Sequence, residues 1–387
     1  MKELSKLLNA FEEGIFKKLS DKKIELESKG KEIHDLFVGT PDFKPDDRIM
    51  NALSQASLNS EDYKYSLRVI PELKDEFIKY YKNRFNVELS YNEIAVCNGT
   101  QEGMCHIGMC LCDEGDYVLL PDPGYIAFKS SAIFARAKIH YYPLLEENDF
   151  MPRLDLIDED ILKKTKYIII SYPSNPTGGV ITKERYKEII ALSKKYGFII
   201  VNDNAYSDIV FDSFESFSYL ELDGAKDCGV EFYSLSKSFN TTGARISFLI
   251  GNEKIVSAFD KLRSQYDFGM FIPIQKAAIE ALRLDRSITL NQQRIYQERR
   301  DALCDGLSSI GWPVRKSNGT MFVFARIPQN YNNSMEFSME LLDKANVLVT
   351  PGIAFGPLGD KYVRFALVKE KEELLKIVEI IKNSKVI

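Results

Sequence analysis

Apolar and polar residues alternate in blocks along the middle of the chain. Seven short apolar runs are separated by amphipathic stretches, at residues 94–97, 117–120, 138–142, 167–171, 198–202, 230–234 and 246–250. Several of these runs are apolar at four or five consecutive positions, which is typical of strands buried on both faces of a parallel sheet. Residues 153–163 and 183–196 have the spacing of crossover helices. The pattern predicts an α/β sheet sandwiched by helices, with ligands bound at the carboxyl ends of its strands.

The last third of the chain shows a second pattern. After about residue 252 it becomes helical, with a long charged stretch around residues 290–307. Three further apolar runs follow at residues 321–327, 347–350 and 362–368, and a final amphipathic stretch covers residues 371–383. This order of strands and helices predicts a second, smaller α/β domain.

The two patterns divide the chain into three predicted parts. Residues 1–45 form an N-terminal helix and loop that contribute to the small domain, residues 46–285 form the large domain, and residues 286–387 form the small domain. The N-terminal helix is predicted from apolar residues at helical spacing, namely Leu4, Leu7, Leu8, Phe11 and Ile15. No long linker separates the parts, so we expect the domains to pack together.

Composition and charge exclude several classes of protein. The 387 residues are 45% hydrophobic and 28% charged, with a net charge of −5, so no basic surplus is available for nucleic acid or an anionic membrane. No apolar run approaches the ~20 residues that span a bilayer, and the first thirty residues lack the apolar core of a signal peptide. The sequence therefore predicts a cytoplasmic protein.

Six cysteines are present, and three of them, Cys105, Cys110 and Cys112, lie close together beside His106. Their spacing lacks the Cys-x-x-Cys pairs of a zinc site. We predict reduced, buried thiols and no metal.

Four polar segments follow predicted strands and are the candidates for chemistry. They are residues 97–101 (Cys-Asn-Gly-Thr-Gln), 175–179 (Asn-Pro-Thr-Gly-Gly), 203–206 (Asp-Asn-Ala-Tyr) and 234–237 (Ser-Leu-Ser-Lys), the last continuing to Gly-Ala-Arg at 243–245. Each alone has an ordinary structural explanation, as a turn, a helix cap or a solvated loop. Their order and separations are more informative: 28 residues from Asn175 to Asp203, and 8 from Lys237 to Arg245.

In this order and at these separations, the four segments resemble those of the fold-type I aminotransferases of class I/II, which use pyridoxal 5'-phosphate. The resemblance extends from about residue 35 to residue 364. It implies a mostly parallel central sheet sandwiched by helices, a smaller α/β domain, and a homodimer with shared active sites. Residues 267–275 resemble the subgroup that includes LL-diaminopimelate, alanine and aromatic aminotransferases.

The resemblance also implies a role for each residue that would surround the cofactor ring. Lys237 would bind the cofactor covalently and, once displaced by an amino substrate, would move a proton as a general acid/base. Asp203 would hold the proton of the ring nitrogen through a charge-assisted hydrogen bond. Asn175 and Tyr206 would donate hydrogen bonds to the ring's phenolic oxygen, and Tyr125 would stack on the ring.

Phosphate binding requires donors and positive charge. A helix N-terminus after a glycine supplies N–H groups and the positive end of the helix dipole. The residues implied here are Gly99, Thr100, Gln101, Ser234, Ser236 and Arg245, whose guanidinium suits two phosphate oxygens. In the family, a tyrosine also reaches the partner subunit's phosphate. Tyr65 lies in the matching stretch, but the usual glycine nearby is replaced, so Tyr63 is an alternative.

The substrate's α-carboxylate would be bound by Arg364, with a backbone N–H of Gly39 and with Asn175 nearby. Phe43, Tyr125 and Phe268 are candidates for an apolar wall beside the substrate. Many relatives have a bulky aromatic residue where this chain has Ala244, which either opens space beside the cofactor or is compensated by another side chain.

These observations predict an aminotransferase that moves an amino group from an L-amino acid to a 2-oxo acid in two half-reactions. A carbon–sulfur lyase on the same fold remains the alternative, because the residues around the cofactor overlap heavily. A regulatory protein with an N-terminal DNA-binding domain is not expected, because the motif region begins near Asp35. The nucleotide-binding motifs Gly-x-Gly-x-x-Gly after an early strand and Gly-x-x-x-x-Gly-Lys-Ser/Thr do not occur.

Overall fold

A computed structural model describes residues 4–11, 14–267 and 269–387. The strands of these residues are β1 (His34–Asp35), β2 (Ile94–Cys97), β3 (Tyr117–Asp122), β4 (Lys138–Pro143), β5 (Thr165–Ser171), β6 (Ile199–Asp203), β7 (Gly229–Ser234), β8 (Ser247–Gly251), β9 (Phe322–Arg326), β10 (Val347–Leu348), β11 (Thr350–Pro351) and β12 (Tyr362–Ala366). Their α-helices are α1 (Ile15–Ser28), α2 (Asp47–Ser57), α3 (Pro71–Phe85), α4 (Thr100–Leu111), α5 (Ile126–Phe134), α6 (Glu159–Lys164), α7 (Lys183–Tyr196), α8 (Ala225–Cys228), α9 (Leu235–Ser238), α10 (Glu253–Arg263), α11 (Ile272–Arg283), α12 (Ser287–Ser309), α13 (Ser334–Ala345) and α14 (Lys371–Ser384).

The seven apolar runs in the middle of the chain all form strands of one seven-stranded sheet, in the order β2-β8-β7-β6-β5-β3-β4. Neighbouring strands are parallel except at β8, which is antiparallel to both β2 and β7. A parallel return needs a crossover of a dozen or more residues across the sheet. The short connection from β7 to β8 holds only α9 and a 3-10 helix (Thr242–Ala244), so the chain turns back at the same edge.

Apolar side chains on both faces of this sheet are buried, as the uninterrupted apolar runs indicated. Because side chains alternate along a strand, Ile200 of β6 packs in one hydrophobic cluster and Val201 in another, on the opposite face. Helices α3 and α11 contribute to the first cluster, and α4, α5 and α10 to the second. The carboxyl ends of β5, β6 and β7 lie side by side at one edge of this sheet.

The second strand pattern forms two smaller sheets. One contains β11-β12-β9 in antiparallel order, and the other pairs β1 with β10 in parallel. The prediction of one strand over residues 347–350 was wrong in this respect. The chain changes sheets at Val349, so that β10 pairs with the N-terminal segment while β11 pairs with β12.

The N-terminal prediction also needs correction. Helix α1 begins at Ile15, after Gly14 in extended conformation, and residues 6–10 form a separate 3-10 helix (Lys6–Ala10) in which Leu8 is exposed. The apolar face that packs is further along, at Leu19 and Leu26, against Leu342 and Leu348. The extended glycine interrupts the helical spacing that the sequence pattern suggested.

Residues 153–163 were predicted to form one crossover helix, but they form a 3-10 turn (Leu154–Leu156) and then α6. The side chain of Asp158 accepts a hydrogen bond from the backbone N–H of Asp160, which caps α6 and fixes its start at Glu159. The predicted helix at residues 183–196 coincides with α7.

The boundaries of the three predicted parts of the chain remain a prediction. Within the described ranges, no helix combines the length and apolar character needed to cross a bilayer.

Candidate active site

A cavity of about 920 Å³ opens at the carboxyl edge of the seven-stranded sheet, between that edge, the N-terminus of α4 and strand β12. It brings together side chains from distant parts of the chain. All of the predicted site residues except Gly99 and Tyr65 line it, namely Gly39, Thr100, Gln101, Tyr125, Asn175, Asp203, Tyr206, Ser234, Ser236, Lys237, Arg245 and Arg364.

Lys237 enters the cavity from the turn that follows β7. The side chain of Ser234 accepts a hydrogen bond from the backbone N–H of Ser236 at 3.1 Å and caps α9, which carries the lysine. Lys237 Nζ donates to the carbonyl of Gly39 at 2.7 Å. Burial, with the charges of Arg364 and Arg245, lowers the pKa of Lys237 to about 8. The amine is thus more readily deprotonated, and more nucleophilic near neutral pH, than an ordinary lysine.

Asp203 ends β6 and its carboxylate is buried in the wall of the cavity, with an exposed fraction of 7%. Its Oδ1 atom has no hydrogen-bond partner among the described residues. Burial raises the pKa of Asp203 to about 7, and the negative charge of Glu231 acts in the same direction. An unpartnered buried carboxylate oxygen is costly, so this site suits a ligand that presents a protonated nitrogen.

Arg364 reaches the cavity from β12 and is almost fully buried, at 4% exposed. Its Nη1 donates to Asn175 Oδ1 at 2.8 Å and its Nη2 to the carbonyl of Phe37 at 3.0 Å. The rings of Phe322 and Phe355 lie 4.0 and 4.7 Å from the guanidinium carbon. Burial lowers the pKa of Arg364 to about 10, which leaves the side chain charged at neutral pH.

The contact between Arg364 and Asn175 also fixes the asparagine amide. Arginine has only donors, so Asn175 must present Oδ1 to it, and its Nδ2 becomes a donor for a different partner.

An anion-binding cradle forms where β2 ends and α4 begins. Gly99 has a φ of +89°, and α4 starts at the next residue with its first backbone N–H groups unsatisfied within the helix. The hydroxyl of Thr100 is buried without a hydrogen-bond partner among the described residues. The Arg245 guanidinium lies against the glycine: a Cβ at Gly99 would be 2.0 Å from its Nη2. Gly99 does not line the cavity itself, but it contacts Arg245, which does.

Two tyrosines form aromatic walls. Tyr125 precedes α5, and its hydroxyl donates to Gln101 Oε1 at 3.1 Å. Tyr206 packs edge-on against Phe322, with ring centroids 5.8 Å apart. Burial raises the pKa of both phenols, so both are hydrogen-bond donors at neutral pH.

Two of the predicted positions, Tyr65 and Phe43, lie outside the cavity. Tyr65 is 79% exposed and outside the cavity, whereas the hydroxyl of Tyr63 donates to the carbonyl of Ser57 at 2.9 Å. Phe43 was predicted as a possible cavity wall but packs on Tyr296 instead, with ring centroids 5.1 Å apart. Phe268 lies outside the described residues.

Some cavity residues were missed by sequence reasoning. Cys105, His106 and Met109 face the cavity from α4, and His106 Nδ1 lies 2.7 Å from Glu102 Oε1. These positions are three, four and seven residues after Glu102, so they share one helix face. That spacing could have identified them once Thr100 and Gln101 were assigned to the site. All six cysteines are unpaired, and the described residues contain no cluster that could hold a metal ion.

Comparisons with known proteins agree with this geometry. The family model "Aminotransferase class I and II" matches residues 31–381. The LL-diaminopimelate aminotransferase of Aquifex aeolicus is 38% identical over 387 residues, 100% of each chain. The glutamate-pyruvate aminotransferase AlaC of Escherichia coli is 36% identical over 95% of this chain and 90% of its own.

Among solved structures, substrate-bound BacF from Bacillus subtilis superposes with a TM-score of 0.95 at 35% identity, covering 99% of this chain and 98% of its own. The family model covers most of the chain and these relatives match it nearly end to end. This chain therefore belongs to the class I and II aminotransferases, a family of pyridoxal-phosphate-dependent enzymes.

Proposed function

We propose that the cavity binds pyridoxal 5'-phosphate and that the chain uses it to move an amino group from an L-amino acid to a 2-oxo acid. The observation that carries this proposal is the convergence of three groups in one cavity: the Lys237 amine of lowered pKa, the Asp203 carboxylate with its unpartnered Oδ1 and the buried Arg364 guanidinium. These match the three chemical needs of the reaction, which are covalent attachment, charge stabilisation and carboxylate binding.

The residues present fit the cofactor at both of its ends. The N-terminus of α4 after Gly99, the hydroxyls of Thr100, Ser234 and Ser236, and Arg245 would bind the phosphate. Asp203 Oδ1 would accept a hydrogen bond from the protonated ring nitrogen. The cofactor would thereby provide partners for the Thr100 hydroxyl and for Asp203 Oδ1, which have none among the described residues.

The ring would be held between aromatic and amide groups. Tyr125 would stack on one face, and the phenol of Tyr206 would donate to the ring's phenolic oxygen. The Nδ2 of Asn175 would donate to the same oxygen, because its Oδ1 already accepts from Arg364. When bound, the cofactor supplies an electron sink for the charge that develops at the substrate's Cα.

Lys237 would then handle the proton. Its lowered pKa leaves a larger fraction of the amine unprotonated near neutral pH than in an ordinary lysine, and this form can accept the proton of the substrate's Cα and return it. Because Nζ contacts the Gly39 carbonyl, the amine reaches the segment of Val38 and Gly39, which also lines the cavity. This position of the amine supports the proposal that Lys237 serves in both cofactor attachment and proton transfer.

Arg364 would bind the α-carboxylate of each substrate through two of its nitrogens. The rings of Phe322 and Phe355 and the bonds to Phe37 and Asn175 hold it in one orientation. The backbone N–H of Gly39 would add a donor to the same carboxylate. A Cβ at Gly39 would lie 2.3 Å from the Phe322 ring, so only glycine brings the backbone this close.

The amino donor is the open part of this proposal. Phe16, Val38, Ile126 and Phe134 are apolar residues that line the cavity. The relatives are named for LL-diaminopimelate and for glutamate and pyruvate, whose side chains differ widely. A panel of amino acids is therefore the direct way to identify the donor.

We also propose a cytoplasmic homodimer with shared sites. The exposed Tyr65 would contact the phosphate of the partner subunit, as the family resemblance implies. Tyr63, which is also exposed, is the alternative for this role.

The deciding experiment is an absorbance titration of the purified protein with pyridoxal phosphate. We expect a visible band that disappears when one amino acid of the panel is added and returns with a 2-oxo acid. A band that persists while pyruvate and ammonia accumulate would assign the chain to the carbon–sulfur lyases. A chain that binds no pyridoxal phosphate would contradict the proposal as a whole.

A further inference from the structure

Behind Asp203 lies a second buried carboxylate, Glu231, which the mechanism above does not use. It is in the middle of β7 and has an exposed fraction of 0%. Because side chains alternate along a strand, Glu231 shares the sheet face of Tyr233, whereas Asp203 lies on the face of Val201. The two acidic side chains thus sit on opposite faces of adjacent strands. Burying a carboxylate away from water is costly, so its contacts require an explanation.

Five neutral donors converge on the Glu231 carboxylate. They are Asn202 Nδ2 at 2.7 Å, Ser218 Oγ at 2.8 Å, the backbone N–H of Tyr219 at 3.0 Å, Asn204 Nδ2 at 3.3 Å and the hydroxyl of Tyr81. Burial raises the pKa of Glu231, and this set of donors opposes that effect, because an ionised carboxylate accepts through both oxygens.

Two of these donors are the chain neighbours of Asp203. Asn202 pairs with Glu231 across β6 and β7, and its Oδ1 accepts from the Tyr186 hydroxyl at 2.6 Å, which fixes the amide with Nδ2 toward Glu231. The backbone N–H of Asn204 donates to the carbonyl of Phe232 at 2.9 Å. The residues on either side of Asp203 are therefore anchored from the back of the sheet.

We propose that Glu231 is a positioning residue, which holds the amides of Asn202 and Asn204 so that the Asp203 carboxylate stays directed at the cofactor's ring nitrogen. This inference rests on the proposed function, because it assigns Glu231 a role through Asp203. A second effect acts in the same direction. The charge of Glu231 adds to burial in raising the pKa of Asp203, which strengthens the hold of Asp203 on a shared proton.

The test compares two substitutions in the full-length protein. Glu231→Gln keeps the side-chain length but turns one acceptor into a donor, which opposes at least one of the converging N–H or O–H groups. Glu231→Asp keeps the charge but withdraws the carboxylate by one methylene from both asparagines. We expect each variant to bind pyridoxal phosphate about tenfold more weakly in equilibrium dialysis, and to lose about tenfold in kcat with KM for the donor nearly unchanged.

Tyr81→Phe is the matched control. It removes one donor from Glu231 but leaves both asparagine contacts, so its expected effect is lower thermal stability with wild-type cofactor affinity and kcat. If Glu231→Gln does not fold, Asn204→Ala provides the test, because the Asn204 amide donates to Glu231. A smaller loss of cofactor affinity and kcat is expected there.

The outcomes distinguish a failure of the proposed function from a failure of the positioning role of Glu231. If the wild-type chain binds no pyridoxal phosphate, the proposed function fails. If the wild type binds it and folded Glu231→Gln binds it equally well with wild-type kcat, the positioning role fails and the proposed function stands. If Glu231→Asp behaves as wild type while Glu231→Gln is impaired, charge alone is sufficient and positioning through the asparagines is excluded.

Discussion

At the scale of single residues, the cavity shifts proton affinities in the directions that amino-group chemistry needs. Burial disfavours charge, so it lowers the pKa of Lys237 to about 8 and raises that of Asp203 to about 7. Arg364 keeps its charge because even its lowered pKa, about 10, lies well above neutral. Each side chain has its own prediction.

Lys237 should control the pH dependence of cofactor attachment. Only the neutral amine can attack the cofactor's aldehyde, so the attachment rate should rise with pH and level off above about 8. Stopped-flow absorbance of the cofactor-free protein, mixed with pyridoxal phosphate at a series of pH values, measures this. Lys237→Ala should show no covalent signal at any pH, and turnover reduced by about 10³-fold or more. A rate that continues to rise to pH 10 would mean that the lysine is not perturbed.

Asp203 should make the cofactor-free protein less stable at neutral pH. Its pKa is about 7 in the folded state and 3.8 in an unperturbed carboxyl group, so the folded state binds the proton more tightly. The wild type should therefore lose stability as pH rises from about 4 to about 7. Asp203→Asn lacks this loss, so we expect its melting temperature to exceed that of the wild type increasingly over that range.

The same Asp203→Asn variant should have little activity, because the amide cannot hold the ring-nitrogen proton as a carboxylate does. An unchanged difference in melting temperature between pH 4 and pH 7.5 would contradict the assigned pKa shift. Wild-type turnover would contradict the catalytic role.

Arg364 should act mainly in substrate binding. Arg364→Lys keeps a positive charge but loses the two-pronged geometry, and Arg364→Ala loses both. We expect KM for the α-carboxylate substrates to rise about tenfold in the lysine variant and about 100-fold in the alanine variant. Steady-state kinetics with donor and acceptor varied separately measures this. An unchanged KM for every substrate would remove Arg364 from the binding site.

At the scale of elements, the site is formed by the ends of several strands and the beginning of one helix. Strands β5, β6 and β7 finish side by side and place Ser171, Asp203 and Ser234 at one edge, while α4 begins there with unsatisfied N–H groups. The turn before α4 leaves no room for a side chain at Gly99, which combines a positive φ with close contact to Arg245.

The turn at Gly99 should be needed to keep Arg245 in its position beside the cavity. Gly99→Ala should push Arg245 out of place and weaken pyridoxal phosphate binding about tenfold. Gly115→Ala is a matched control, because Gly115 has a φ of +91° and no heavy atom lies within 4 Å of the position that an added Cβ would take. Both variants carry similar backbone strain, and only the first contacts Arg245. Equal cofactor affinity in the two variants, measured by equilibrium dialysis, would show that Arg245 does not depend on the glycine.

At the scale of the whole molecule, the site exists only where separate regions meet. Arg364 of β12 contacts Asn175, Lys237 contacts Gly39, and the backbone N–H of Gly124 donates to the carbonyl of Phe355 at 2.8 Å. Parts of the chain on both sides of the cavity therefore contribute residues to the same site.

If two copies also share their sites, inactive variants should complement each other. Mixed dimers of Lys237→Ala with Tyr65→Ala would contain one site with both residues intact. We expect co-expressed or remixed chains to be more active than the sum of the separate variants, and sedimentation to show a dimer. Pairing Lys237→Ala with Tyr63→Ala tests the alternative residue in the same way. A fully active monomer would rule out shared sites.

By itself, the sequence determined much of this protein. Short uninterrupted apolar runs bounded by polar turn segments are typical of strands buried on both faces of a parallel sheet. All seven strands of the central sheet were predicted from the alternation of apolar runs with amphipathic stretches, although only several of the runs are uninterrupted. The residue types and separations of the four polar segments were sufficient to identify the family, because attachment, charge stabilisation and carboxylate binding each require a particular functional group.

Tertiary structure decided what depends on contacts between distant residues. The extended Gly14 ended the predicted N-terminal helix, and the change of sheets at Val349 divided a predicted strand, because local apolar spacing does not specify the partner of a segment. Cys105 and His106 line the cavity because the face of α4 that carries them is turned toward it. The raised pKa of Asp203 and the anchoring of its neighbours by Glu231 arise from burial and from contacts through the sheet, which only the folded chain creates.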